Sequence, residues 1–204
     1  MWAVQPLTSD KLLQRYYSKM GTKGRTSYMI GEQNAVHFLT FATVGWVDIF
    51  SRKVYKDILI DSLRYCIQHK GLVLYCYVIM SNHVHLIARA NEGFKLSDIL
   101  RDFKRHTAKQ ILATIHEEAE SRREWLLEVL RNYGAQNNKN KEYQVWRQDN
   151  HPIELYTNPV IDQKIEYIHM NPVRAGIVQD PEDYLYSSAR NYSEMDNILE
   201  IEIL

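Results

Sequence analysis

The sequence predicts an α+β fold, a ferredoxin-like antiparallel or mixed sheet with helices packed on one face. Three observations predict it. Residues 72–80 and 83–88 are two apolar runs split by Ser81 and Asn82, which reads as a hairpin. Residues 36–46, VHFLTFATVGW, are rich in aromatic and β-branched side chains and supply a further strand. Between and after these runs, apolar residues recur at the spacing of a helix face.

The 204 residues suit one domain, large enough to bury a core without staples. The elements divide it into an N-terminal extension, residues 1–34, a single domain over 35–192, and a C-terminal tail over 193–204. In the extension, Gly21, Gly24 and Gly31 mark loop, and no chemistry is assigned there. The strand over 36–46 spans about nine residues, with Thr40 and Thr43 expected to face solvent. Over 52–70, Val54, Ile58, Leu59, Leu63 and Ile67 fall on one helix face, and Gly71 stops the pattern.

Residues 96–118 form a second helix, with Ser97 placed to cap it. Successive residues about 100° apart put Leu96, Ile99, Leu100, Phe103 and Thr107 inward and Arg101, Lys104, Arg105 and Lys109 outward. A basic face of this kind is either simply solvated or a grip for phosphates. Residues 121–133 continue helical, and 134–141, GAQNNKNK, are a polar linker or loop tip. Residues 143–155, broken by Pro152, read as irregular or edge structure. A third helix over 161–170 ends at the Asn171-Pro172 step, because proline pushes the residue before it off helical geometry. A tyrosine-rich loop runs to Tyr192, and the last dozen residues read as a loose or partner-dependent tail.

Charge excludes one class of binding. Lys plus Arg equals Asp plus Glu at 25 each, so no overall field draws the chain to nucleic acid, and any such contact must be a local patch. Cys66 and Cys76 lack metal-ligand spacing and sit among apolar neighbours, which suits buried thiols in a reducing compartment. There is no signal core and no apolar run of membrane-spanning length. The expectation is a soluble cytoplasmic protein that does not engage a membrane.

The chemistry begins at His83 and His85. Side chains alternate across a strand, so both imidazoles stand on one side with Val84 turned away. Two adjacent imidazoles fit a metal ion, and equally fit two strand histidines satisfied by hydrogen bonds. On the later helix Ile161, Ile165 and Ile168 make an apolar stripe, whereas Tyr167 and Asn171 lie together about 100° from its centre. Taken alone, Tyr167 is as well explained by a rim tyrosine packing its ring.

Four blocks occur in order: VIMSNHVHLIA, VWRQDNHPIEL, EYIHMNPVRAGIV and YLYSSA. Over residues 36–192 they resemble the REP-associated tyrosine transposases, in the single-tyrosine branch of the HUH nucleases. That resemblance implies the HUH nuclease fold, His83 and His85 as metal ligands, Asn171 completing the metal site, and Tyr167 as the residue that attacks DNA. It also implies Mg²⁺ or Mn²⁺, and single-stranded, hairpin-bearing DNA cleaved to a covalent 5′-phosphotyrosine and a free 3′-hydroxyl.

Further DNA contacts are expected from Arg101, Lys104, Arg105, Lys109, Trp146 and His151, with Tyr143 and the Tyr184/Tyr186 pair as other aromatic candidates. His106, His116, His151 and His169 could in principle add ligands and make a zinc site, but none has a short spacing to the pair, and His151, inside the VWRQDNHPIEL block, is the one to watch. Lys164, one turn before Tyr167, is a conceivable helper to the tyrosine or a solvated lysine. In insertion-element relatives the nucleophile helix can sit closer to the histidines and exchange across a dimer. The longer stretch over 116–142 here leaves monomer or homodimer open. Two other readings stand beside this one: a non-catalytic or domesticated hairpin-DNA-binding protein, and a zinc phosphoesterase needing a third His or carboxylate ligand.

Overall fold

A computed structural model describes residues 30–136, 142–148 and 150–204. Most of the N-terminal extension and the loop tip over 137–141 lie outside the described residues. The sheet has four antiparallel strands in the order β2-β3-β1-β4, with β1 His37–Ala42, β2 Leu72–Ile79, β3 His83–Ala90 and β4 Ile153–Glu154. The fold is the expected α+β one. All of β1 and β2 is buried, which accounts for their near-continuous apolar runs, since a strand covered on both faces has no polar side to show.

The long helices α1 (Lys53–His69) and α2 (Leu96–Glu117) cover one face, where Phe41 of β1 meets Phe103 of α2. The helix α4 (Asn158–His169) lies on the other face, where Phe38 of β1 meets Tyr167. Alternation along β1 therefore separates the two helical layers. Among the described residues no helix is long and apolar enough to cross a membrane.

Several local expectations change. The first strand ends at Ala42, and Val44–Trp46 form a turn with Gly45 and Trp46 both in the left-handed region, at φ +60° and +55°. Thr40 and Thr43 are buried rather than solvated, at 4% and 0% exposure. Thr43 hydrogen-bonds the Val47 and Asn82 carbonyls instead of water. Ser97 is inside α2 and caps nothing; its backbone N–H is satisfied by the Gln33 side chain at 2.9 Å. The helical stretch after α2 is a separate helix, α3 (Arg123–Ala135). Between them, buried Glu120 receives hydrogen bonds from Arg52, Tyr55 and the Arg122 backbone, so this break is a built corner.

The C-terminal segment is not loose. Isolated pairing of Val78 with Ser187, and backbone bonds Ile79 to Tyr186, Ser188 to Tyr77 and Glu202 to Leu74, lay it along the open edge of β2. Leu199 is buried beneath it. A covered edge cannot pair with a second chain, which is the physical use of such a tail. Residues 143–155 fulfil the edge expectation: Trp146 bridges Thr43, and β4 pairs with β1.

Candidate active site

The β1–β3 register sets His83 opposite Ala42 and His85 opposite Thr40, both on the α4 face of the sheet. Their ring centres are 4.9 Å apart. The hairpin turn orients the first ring: Nδ1–H of His83 donates to the Asn82 side-chain oxygen at 2.7 Å. The neighbouring strand orients the second, through a 2.8 Å bond between His85 Nδ1 and Thr40 Oγ1. Burial lowers the His83 ring to about 4, partly offset by a hydrogen bond to the Asn171 side chain. His85 is driven well below its usual value, first by burial and then by the neighbouring charges of His83 and Lys164. Both rings are therefore neutral at pH 7, with lone pairs free of protons.

Tyr167 packs against this pair. Its ring centre is 5.3 Å from that of His85 and 6.0 Å from that of Phe38, and the side chain is half-buried. Asn171 starts the short helical turn Asn171–Arg174 yet keeps its place one turn beyond Tyr167, donating from Nδ2 to the Tyr167 carbonyl at 2.9 Å. The structure thus brings His83, His85, Tyr167 and Asn171 together across more than eighty residues of chain.

Two cations flank the tyrosine ring. Lys164 Nζ stands 5.8 Å from its centre and 4.5 Å from that of Phe38, and the guanidinium of exposed Arg174 lies 5.6 Å over it. Lys164 is fully buried, so it is not the solvated lysine considered from sequence. Burial lowers its amine to about 8, which leaves it mostly protonated at neutral pH.

Two imidazoles favour zinc, nickel or copper by intrinsic affinity, whereas open sites that act on phosphate more often use magnesium or manganese. His85 Nε2 is buried and has no hydrogen-bond partner among the described residues, an orphan that a metal ion would satisfy. No cluster of three His, Cys, Asp or Glu occurs among the described residues, so a closed tetrahedral zinc site is not built here. Two imidazoles and the Asn171 amide would leave coordination positions for phosphate and water.

The other candidates lie elsewhere. Arg101, Lys104, Arg105 and Lys109 are on α2, across the sheet from the histidines. Arg101 pairs with Asp98 and Asp102, and Arg105 with Asp102, so acids partly neutralise that face. Lys104 turns inward to the Asn150 side chain and the Arg147 carbonyl, whereas Lys109 stays exposed.

Trp146 is a correction: it is 5% exposed, stacks on Phe50 at 5.3 Å and donates to Thr107, so its ring serves the core and offers no face to a base. Tyr184 and Tyr186 are likewise buried, bonding the Ile79 carbonyl and Asp57. Tyr143 is half-buried, with the Arg131 guanidinium over its ring. His151 sits at φ +41° in the segment along the outer edge of β1, where the neighbouring Asn150 carbonyl accepts from Thr40 N–H.

Sequence reasoning missed Thr40, Arg174 and Trp46, whose ring centre is 6.1 Å from that of His83. Lys164 it named as a conceivable helper from its phase with Tyr167, without its burial.

The sequence profile of a family described as "Transposase IS200 like" matches residues 32–148. No curated protein matches the chain. A solved structure of a REP-associated tyrosine transposase bound to a REP hairpin is similar in fold at 14% identity, with a TM-score of 0.58, covering 89% of this chain and 92% of the other. A second, from Deinococcus radiodurans R1 and described as a candidate transposase, shares 19% identity with a TM-score of 0.44, covering 72% of this chain and 95% of the other.

Proposed function

The chain belongs to the IS200-like transposase family, and from that membership we propose that it is a metal-dependent nuclease and strand transferase of single-stranded DNA. Its substrate is cut beside a hairpin, as in the REP-associated branch, and Tyr167 is the nucleophile. The observation that carries this reading is the packing of Tyr167 on His85, 5.3 Å between ring centres, with Asn171 joined to both Tyr167 and His83. A tyrosine held against two neutral imidazoles has its reagent and its phosphate anchor in one place.

In the reaction the Tyr167 phenolic oxygen bonds to phosphorus and the bond from phosphorus to the 3′-oxygen breaks. The phenol proton is lost and the departing 3′-oxygen gains one. The product is a 5′-phosphotyrosyl strand and a 3′-hydroxyl strand, and attack by a 3′-hydroxyl on the phosphotyrosine reverses the step without ATP. His83, His85 and Asn171 would hold a Mg²⁺ or Mn²⁺ ion, which would supply neutralisation of the phosphate charge and alignment for in-line attack. Phe38 and His85 pack against the tyrosine ring at steep interplanar angles of 71° and 68°. Exposed Arg101, Arg105 and Lys109, half-buried Lys104, and His151 at the β1 edge remain contacts for the flanking DNA backbone, worth less where acids already pair them.

The test is incubation of the full chain with labelled hairpin-bearing single strands and manganese, followed by denaturing electrophoresis. A covalent protein–DNA band that disappears in Tyr167→Phe is the expected result. Binding to hairpin DNA with no band over a range of sequences would instead identify a non-catalytic DNA-binding derivative. A band undiminished in Tyr167→Phe would move the chemistry to another residue.

A further inference from the structure

The turn over Val44–Trp46 carries a cost that core packing does not explain. Gly45 takes the left-handed conformation freely, but Trp46 follows it there at φ +55°, where a bulky side chain is disfavoured. Strain of this kind persists only where surrounding bonds impose it, and it gathers at functional sites. Here the bonds come from the two ends of the sheet. Trp46 N–H donates to the Thr43 carbonyl at 3.3 Å, and Thr43 N–H and its hydroxyl both donate to the Asn82 carbonyl. The Trp46 carbonyl accepts from Asn82 Nδ2 at 3.2 Å, and the oxygen of that same amide holds His83. The indole is thereby tied to the first histidine, with 6.1 Å between ring centres and 75° between planes.

The ring so placed is half-buried, and it is not one of the apolar side chains that pack on the hydrophobic core. Trp146, by contrast, stacks on Phe50 inside that core. The neighbours of the Trp46 ring are polar: His83 and the Arg147 guanidinium, 5.6 Å from its centre. A second aromatic ring adjoins the same turn. Tyr133 is 39% exposed, and a Cβ on Gly45 would come within 3.0 Å of it, so the glycine lets the phenol lie on the turn. Accessible aromatic rings with a guanidinium beside them are how single strands are held without base pairing, because every base has a face to stack.

We propose that Trp46 is a base-binding residue, on whose indole the unpaired nucleotide flanking the cleaved phosphate stacks. This rests on the nuclease reading, which puts that phosphate at His83. A base hangs one sugar away from its phosphate, so a ring next to His83 is within its reach. The stem of a hairpin keeps its base faces covered, and the indole therefore reads the flank and not the stem.

The experiment measures binding of the full chain, without metal, to labelled hairpin DNA by fluorescence anisotropy. The DNAs are a hairpin with an unpaired flank, the same hairpin without it, and flanked hairpins carrying one abasic site at each flank position in turn. Trp46→Ala is expected to weaken binding of the flanked hairpin by about 10-fold and to leave the flankless one within twofold, with Trp46→Phe recovering most of the loss. At one flank position the abasic site should cost wild type as much as Trp46→Ala does, and should cost Trp46→Ala nothing more. Equal weakening of flanked and flankless DNA, no weakening, or losses that add at every position would overturn the inference. So would a wild type indifferent to abasic sites along the whole flank, a result that needs no variant. Because the readout is binding, a wild type that shows this pattern yet forms no covalent adduct would remove the nuclease reading and leave the stacking site in place.

Discussion

Thr40 Oγ1 lies 2.8 Å from His85 Nδ1, on residues that the β1–β3 register sets directly opposite one another. In the tautomer whose Nδ1–H donates to Thr40, the ring presents the Nε2 lone pair, on the atom left without a partner among the described residues. Replacing Thr40 by Val keeps the branched shape in the strand and removes only this bond. Such outer partners of metal-binding histidines are commonly worth 10- to 100-fold in affinity or activity, so Thr40→Val should raise the manganese concentration for half-maximal adduct by about 10-fold. Titrating metal against adduct yield reads this directly. An unchanged titration curve would mean that Thr40 does not set the His85 tautomer.

Ser188 ties α4 to the sheet. Its hydroxyl oxygen accepts from Tyr77 N–H at 2.9 Å, and it meets His169 Nε2 at 2.9 Å and Cys76 Sγ at 3.2 Å. His169 is two residues beyond Tyr167, so this buried knot fixes the depth of α4 on β2. Ser188→Ala strands the Tyr77 N–H and frees the histidine, at a cost of about 1–3 kcal/mol. Thermal unfolding should show a Tm lower by roughly 3–10 °C. A shift under 1 °C would mean that other contacts hold the helix.

Glu120 makes stability acid-sensitive. Although burial alone would raise its carboxyl, hydrogen bonds from the Arg122 backbone, Arg52 and Tyr55 hold it at about 2. A carboxyl depressed on folding contributes stability that is complete above its unfolded value, 4.5, and fades as pH falls toward its folded one. Arg52 is 37% exposed, so solvent screening reduces the contribution to on the order of 2 kcal/mol. Glu120→Gln should therefore be less stable than wild type at pH 7 by urea unfolding, and the gap should narrow between pH 4.5 and 2. A gap independent of pH would assign the loss to packing.

Much of the frame was legible because it rests on local pattern. The hairpin about Ser81 and Asn82, the helix stripes of α1 and α2, and the stop at Gly71 each follow from spacing alone. What was not legible depends on partners distant in sequence. Thr40 looks like a solvent-facing strand residue until the register sets it against His85, forty-five residues away. Trp146 looks like a base-stacking platform until Phe50 and Thr107 close over it. The C-terminal segment carries no strand pattern, since it pairs with β2 through isolated backbone bonds instead of a ladder. Within the candidate site, the phase of Tyr167 with Asn171 was readable on the helix. The burial of Lys164 was not, because it takes Phe38 of β1, distant in sequence, to pack against it.

Gly71 follows the C-cap of α1 at φ +69°, where the chain turns into β2, and its carbonyl accepts from Asn91 N–H at 2.8 Å. Two costs meet in Gly71→Ala. The left-handed conformation disfavours any Cβ by about 1 kcal/mol. A Cβ here would also approach the Phe94 ring to within 2.4–2.8 Å, closer than carbon atoms can pack. Phe94 is 46% exposed, so the ring can swing toward water, which limits the second cost to part of its packing. The sum expected is about 1–3 kcal/mol, in the range of a lost helix terminus. Because Gly71 lies at the end of the sheet away from the His83–Ile79 turn, the rate of adduct formation per folded molecule should stay within twofold of wild type. Urea unfolding and single-turnover kinetics on the same preparation separate the two: loss of stability with normal chemistry is expected, and a matched fall in both would show that the hairpin transmits strain from this turn to the histidines.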